Sequence, residues 1–197
     1  MHTRTLLTLT LVCGLLAGCS IHESGSGKNK DVDIKTPIGS LAVRTTKVDI
    51  KDVGLSPYPG ATEVNDHEHG DSDKANVSLN FPGMGLKVVA LKFHSDDPAD
   101  KVLAFYKNDL KKFGDILECE GKSVSVAGFD HHDKDSDALS CGEHQRTLNT
   151  ATVGDGGGIE LKAGTKPRQH IVHVEKDGSG SKFELVYVEA NDKHQTM

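Results

Sequence analysis

Alternation of apolar and polar residues dominates this chain. Asp31-Val-Asp-Ile-Lys35 and Leu41-Ala-Val-Arg-Thr45 both alternate, and Pro37-Ile-Gly-Ser40 between them reads as a turn, so the pattern predicts an N-terminal β-hairpin. Val77, Leu79 and Phe81 alternate on a further strand, Pro82-Gly-Met-Gly85 turns the chain, and residues 86–93 form its partner. One segment changes period: Val102, Leu103, Tyr106, Leu110 and Phe113 fall on one face at helical spacing. Asp97 is placed to cap that helix, Pro98 suits the first helical position and Asp100 the N-terminal turn. Lys111 and Lys112 suit its C-terminal end, and Gly114 stops it. Residues 116–119, 123–127, 159–163, 170–175 and 182–189 read as strands, the last two joined by Asp177-Gly-Ser-Gly180. One clear helix among many strands with short connections predicts an α+β fold: a mainly antiparallel sheet, one amphipathic helix on one face, and the N-terminal hairpin ahead of it. Val32-Asp-Ile-Lys35 recurs as Val48-Asp-Ile-Lys51, which is too little for a repeat architecture.

The start of the chain follows another logic. Residues 6–16 are apolar apart from Thr8 and Thr10, behind a single positive charge at Arg4. A membrane-spanning helix needs roughly 20 apolar residues, so the stretch fits the core of an export signal instead. It ends in Leu16-Ala17-Gly18-Cys19, which resembles the lipobox of bacterial lipoproteins. The resemblance implies cleavage before Cys19, diacylglycerol on its thiol and acylation of the new amino end, and two or three chains hold a protein stably on a membrane. Ser20, in place of Asp, implies an outer-membrane lipoprotein facing the periplasm where the organism has two membranes. The expected organisation is a signal peptide at 1–18, a Ser/Gly/Lys-rich flexible tether at 19–30, a hairpin segment at 31–54, the α+β domain at 55–190 and a disordered tail at 191–197.

Charge and composition narrow the partners. The formal net charge is -6, with no basic cluster, which argues against nucleic acid and against a broad electrostatic grip on anionic lipid. Aromatic residues make up 5% and tryptophan is absent, so stacking platforms for bases or sugars are not expected. Cys13 leaves with the signal and Cys19 takes lipid. Cys119 and Cys141 remain, and in an oxidising compartment the economical reading is a disulfide. The pair lacks the C-x-x-C spacing of redox motifs.

Tyr58-Pro-Gly-Ala61, then Ser95-Asp-Asp-Pro98, then Val102-Leu-Ala-Phe-Tyr-Lys107 and Gly114 occur in that order. Over roughly residues 55–189 this resembles a group of uncharacterised bacterial envelope proteins and lipoproteins that share a Tyr-Pro-Gly-Ala turn and a Phe-Tyr-Lys helix. The resemblance implies the α+β fold and brings no catalytic residues.

Two loops carry clustered ligand-type side chains. Residues 66–73 include His67 and His69, and residues 130–137 include His131 and His132, with His144 shortly after. Imidazole with carboxylate suits zinc, nickel or copper, so the four histidines form a candidate metal set if the loops meet. Their spacing is unspecific: His67 and His69 are not four apart on a helix, and adjacent histidines do not easily face one ion. The alternative is that polar residues simply fill solvated loops. Asp133, Asp135 and Asp137 alternate as in an EF-hand, but Ala138 stands where glycine is required and His144 where glutamate closes the loop. Glu120-Gly121-Lys122-Ser123 ends like a phosphate-binding loop without its first glycine, since Ile116 stands there. Gly156-Gly157-Gly158 precedes a strand, and no G-x-S-x-G elbow occurs. His170 and His173 lie on opposite faces of one strand, so at most one is expected in the core. The sequence therefore points to a non-enzymatic binding or assembly module with an envelope protein partner. A periplasmic transition-metal-binding protein is the alternative.

Overall fold

The two-residue turns at 37–38, 82–83, 166–167 and 178–179 leave antiparallel pairing as the available geometry for the strands they join, and among the described residues every strand pair has it. The computed structural model describes residues 18–26, 29–64, 74–120, 138–141 and 157–192. Strands β1 (Ser20–Ser26), β2 (Asn29–Thr36), β3 (Gly39–Arg44), β4 (Thr62–Glu63), β5 (Lys74–Phe81), β6 (Met84–Ser95), β7 (Ile116–Glu120), β8 (Gly158–Thr165), β9 (Arg168–Asp177) and β10 (Gly180–Asp192) form one sheet. Its order is β1-β2-β3-β5-β6-β10-β9-β8-β7, with the short β4 also paired to β6. The chain walks inward from one edge as far as β6. Helix α1 (Ala99–Asp109) carries it to the other edge, and β7 to β10 walk back to the centre. There β10 pairs with β6 along its length, from Ser181 opposite Ser95 to Asp192 opposite Met84. These registers put Ser20, the 37–38, 82–83 and 166–167 turns and the close of β10 at one end of the sheet, the Ser20 end.

The helix works as its apolar spacing predicts. Val102, Leu103, Tyr106 and Leu110 are buried against Val89, Leu91 and Phe93 of β6, Phe183 and Leu185 of β10, Val172 and Val174 of β9, and Leu161 and Ala163 of β8. A 3-10 turn at Leu110–Phe113 ends on Gly114, whose φ of 121° belongs to the region where glycine has no Cβ penalty. The predicted cap is different. Pro98 occupies the N-cap position without a side-chain bond, and Asp97 accepts hydrogen bonds from Tyr58 Oη and Lys101 Nζ, each at 2.8 Å. Tyr58, brought in by the 48–58 segment under the helix, thus takes the carboxylate that local sequence assigns to the cap. Ser56 makes a similar tie, donating from its backbone N–H and its hydroxyl to Asp109 at 2.8 and 2.9 Å.

Three boundaries differ from the expected organisation. The segment read as a flexible tether forms β1, paired from Ser20 opposite Lys35 to Ser26 opposite Asn29. Its Ser/Gly content gives little side-chain reason to be a strand, and the ladder to β2 supplies backbone partners instead. The expected 31–54 hairpin exists as β2 and β3, yet it is not a separate segment: β3 continues the sheet by pairing with β5. Likewise β10 runs to Asp192, into the range read as tail. The strand expected at 123–127 lies outside the described residues.

Candidate functional site

Thr165 and Arg168 face each other across the Lys166–Pro167 turn, and this turn walls a recess of about 450 Å³ at the Ser20 end. Phe113, Gly164, Thr165, Pro167, Arg168, His170 and Asn191 line it. Gly164 has a φ of 109°, and a Cβ there would collide with the Arg168 carbonyl oxygen, so the close approach of β8 to β9 requires glycine. Inside, the His170 ring stacks on Phe113 at 3.5 Å between centroids and 10° between planes, with Tyr187 at 4.9 Å.

The hydrogen bonding of His170 defines its chemistry. Nδ1 lies 2.9 Å from the Val53 carbonyl oxygen. A carbonyl only accepts, so Nδ1 carries the proton and Nε2 keeps a lone pair. Burial is the largest influence on this imidazole and lowers its pKa. The Val53 bond opposes that, while the charges of Lys112 and Arg168 add to it. The ring is therefore neutral near pH 7, and its second nitrogen is an acceptor. Arg168 reaches Glu189 at 3.3 Å, and Glu189 also accepts from Tyr187 Oη at 3.1 Å. The recess thus offers a guanidinium at its mouth and an aromatic wall behind. That combination suits a small polar or anionic group held by hydrogen bonds.

The second face of the sheet holds another polar set. Cys119, Glu160, His173, Glu184 and Lys92 are successive cross-strand partners from β7 to β6. Glu160 and Lys162 form an ion pair at 2.9 Å with side chains 0% and 1% exposed. Lys162 also donates to the Ser140 carbonyl at 3.4 Å. Cys119 is bonded to Cys141, with 5.6 Å between their Cα atoms, so residues 138–141 are fastened beside this row. Removing one partner of such a buried pair is costly because it strands the other charge.

Sequence-predicted residues fall out as follows. Cys19 is a free, exposed cysteine directly before β1. Cys119 and Cys141 pair as expected. His67, His69, His131, His132 and His144 lie outside the described residues. Among the described residues no group of three or more His, Cys, Asp or Glu side chains could hold a metal ion. His170 and His173 are both buried, at 7% and 5% exposed, which corrects the expectation that only one would be. Alternation assigned them to opposite faces, and both faces of β9 are covered. The recess and the Glu160–Lys162 pair were not singled out by sequence. Charges two apart within Ile159-Glu-Leu-Lys-Ala163 read as the solvent face of a strand. Comparison with protein-family models, with curated proteins and with solved structures finds no match to this chain.

Proposed function

We propose that this protein is a bacterial lipoprotein, held on a membrane by lipid on Cys19, whose folded part is a non-enzymatic binding or assembly module of the cell envelope. The observation that carries the reading is the tetrapeptide Leu16-Ala-Gly-Cys19 behind an apolar run too short to span a bilayer. Two features support it. The Cys19 thiol is exposed at the start of the sheet, open to modification. The Cys119–Cys141 bond suits an oxidising compartment.

Binding is favoured over catalysis by what the titratable groups do. Asp97 is tied to Tyr58 and Lys101, Asp109 to Ser56 and Lys112, and His170 to Val53. Each is spent on fastening one element to another. The test is expression of the full chain in a bacterium with two membranes, followed by membrane fractionation and mass analysis of the N-terminal peptide. A mature chain beginning at Cys19 with diacylglycerol on it is expected, and Cys19→Ser is expected to leave the membrane fraction. An unmodified Cys19 in a mature, exported chain sinks the reading.

A further inference from the structure

We infer that the Ser20 end of the sheet rests in the membrane interface, its apolar turns sunk among the lipid headgroups and upper acyl chains. The inference builds on the reading of Cys19 as the lipid anchor and adds to it a contact made by the folded domain itself.

The first ground is the absence of slack. Ser20 is already the first residue of β1, and the strand is paired to β2 from that residue onward. One residue spans at most ~3.6 Å, so acyl chains on Cys19 bring this end of the sheet down to the lipid surface.

The second ground is where exposed apolar surface sits. Among the described residues the exposed large hydrophobic side chains are Ile21 at 68%, Ile38 at 69%, Phe81 at 42% and Met84 at 37%. All four are at the Ser20 end. Ile21 follows Ser20 on β1, Ile38 is in the β2–β3 turn, and Phe81 and Met84 face each other across the Pro82–Gly83 turn. Behind them one register row runs Ile21, Ile34, Leu41, Leu79, Leu86, Ala190 across six strands, on the second face of the sheet. The opposite end carries the Lys30–Glu23, Lys74–Glu63 and Lys182–Asp177 pairs, whereas the ion pair at the Ser20 end, Arg168–Glu189, is on β9 and β10 and not on the strands that bear these four side chains. Scattered single hydrophobics need no explanation, but their gathering at the one end that carries the anchor does. Pro37 and Pro82 also remove a backbone N–H from each turn, which lowers the cost of taking it out of water.

The contact is apolar in kind. A net charge of -6 gives no attraction to anionic lipid, so salt is not expected to release it.

The chain contains no tryptophan, so one introduced indole is a unique reporter. Ile38→Trp and Phe81→Trp probe the proposed contact, and Ser179→Trp, in the β9–β10 turn, probes the opposite end. Each full chain is purified from membranes and reconstituted into vesicles of phosphatidylethanolamine and phosphatidylglycerol, with and without chain-brominated phosphatidylcholine. Circular dichroism checks that each variant is folded. Bromine is expected to quench the indoles at 38 and 81 at least about two-fold, unchanged in high salt, and to leave that at 179 unaffected. Equal quenching at all three sites, or none, overturns the inference. So does shielding at 38 and 81 without bromine quenching in a chain that elutes as a dimer, because a second copy then covers the patch. The N-terminal peptide mass reads the anchor separately. A chain without acyl mass that keeps the quenching contrast removes the lipoprotein reading and supports the face, and one with neither removes both.

Discussion

Leu185 and Leu41 occupy the same sheet and differ in almost everything else. Leu185, on β10, is fully buried beneath α1, while Leu41, on β3, is half-buried on the second face. The contrast extends to the halves they stand for. Around β8, β9 and β10 both faces are covered: Leu161, Ala163, Val172 and Leu185 are 0% exposed on the helix face, and Glu160, Lys162, Ile171, His173, Val186 and Val188 are buried on the other. Across β1, β2 and β3 no residue of known burial is buried. The outer half is held by its backbone ladder and by polar ties: Arg44 donates to both oxygens of Asp33 at 2.9 and 2.8 Å, and Asp31 accepts from Thr45 and Thr46. A continuous sheet is therefore not uniformly stable. Its outer strands open locally at lower free energy than its packed centre.

The comparison can be broken most directly in the core. Leu185→Ala is expected to lose about 2–5 kcal/mol of stability, the range for a leucine truncated in a packed interior. Leu41→Ala is expected to lose about 1 kcal/mol, since it removes half-buried surface only. Urea midpoints measure both, and equal losses would erase the distinction between the halves. Next in size is the Cys119–Cys141 bond, which closes a loop 22 residues in sequence separation. The paired substitution to serine is expected to cost about 3 kcal/mol in the chain-entropy account. Gly164→Ala forces a Cβ onto the Arg168 carbonyl and is expected to cost about 1–3 kcal/mol, readable as a lowered Tm.

A pH effect comes next and belongs to the inner half. His170 has a lowered pKa in the folded protein, mainly from burial, so as pH falls the unfolded chain takes up the proton first. The stability this ring contributes is intact above the ordinary imidazole pKa of about 6.5 and declines as pH drops from there toward the folded value. Comparing Tm from pH 7.5 to 5 in the native chain and in His170→Gln isolates it: the decline should be shallower in the variant. Asp109 acts in the same sense at lower pH. Burial raises its pKa, but bonds from Ser56 and Lys112 outweigh that and leave it lowered, so its contribution is lost only as pH falls below the ordinary carboxylate range. The smallest effect is expected at the outer edge. Glu23→Gln breaks an exposed pair with Lys30 and should change stability by no more than about 0.5 kcal/mol.

Much of the inner half was legible in the chain, because burial imposes periodicity. Val102, Leu103, Tyr106 and Leu110 mark the helix face, Gly114 its end, and alternation marks the centres of β5, β6, β8, β9 and β10. What depends on a distant partner was not legible. Asp97 looks like a cap until Tyr58, far earlier in the chain, arrives to donate to it. β1 carries no apolar alternation, since its pairing needs only backbone groups. Glu160 and Lys162 look solvent-facing because nothing local reveals that the second face is covered. Of the candidate site, Phe113 appears in the sequence only as the last residue of the helix stripe. The recess it forms with His170 and Arg168 depends on the end of the helix stripe packing against the β8–β9 hairpin, a tertiary contact with no local signal.

The seam at the middle of the sheet has a further consequence, for the order of folding. β6 finds its central partner in β10, the last strand among the described residues, so Ser95 waits for Ser181. Any N-terminus-first delivery of this polypeptide produces a hairpin meander with two raw edges, β1 and β6, and the edge at β6 stays open until β10 arrives. Such long-range pairing slows closure. The interval is when this protein most needs protection from other chains, and its length is set by how quickly residues 99–192 follow.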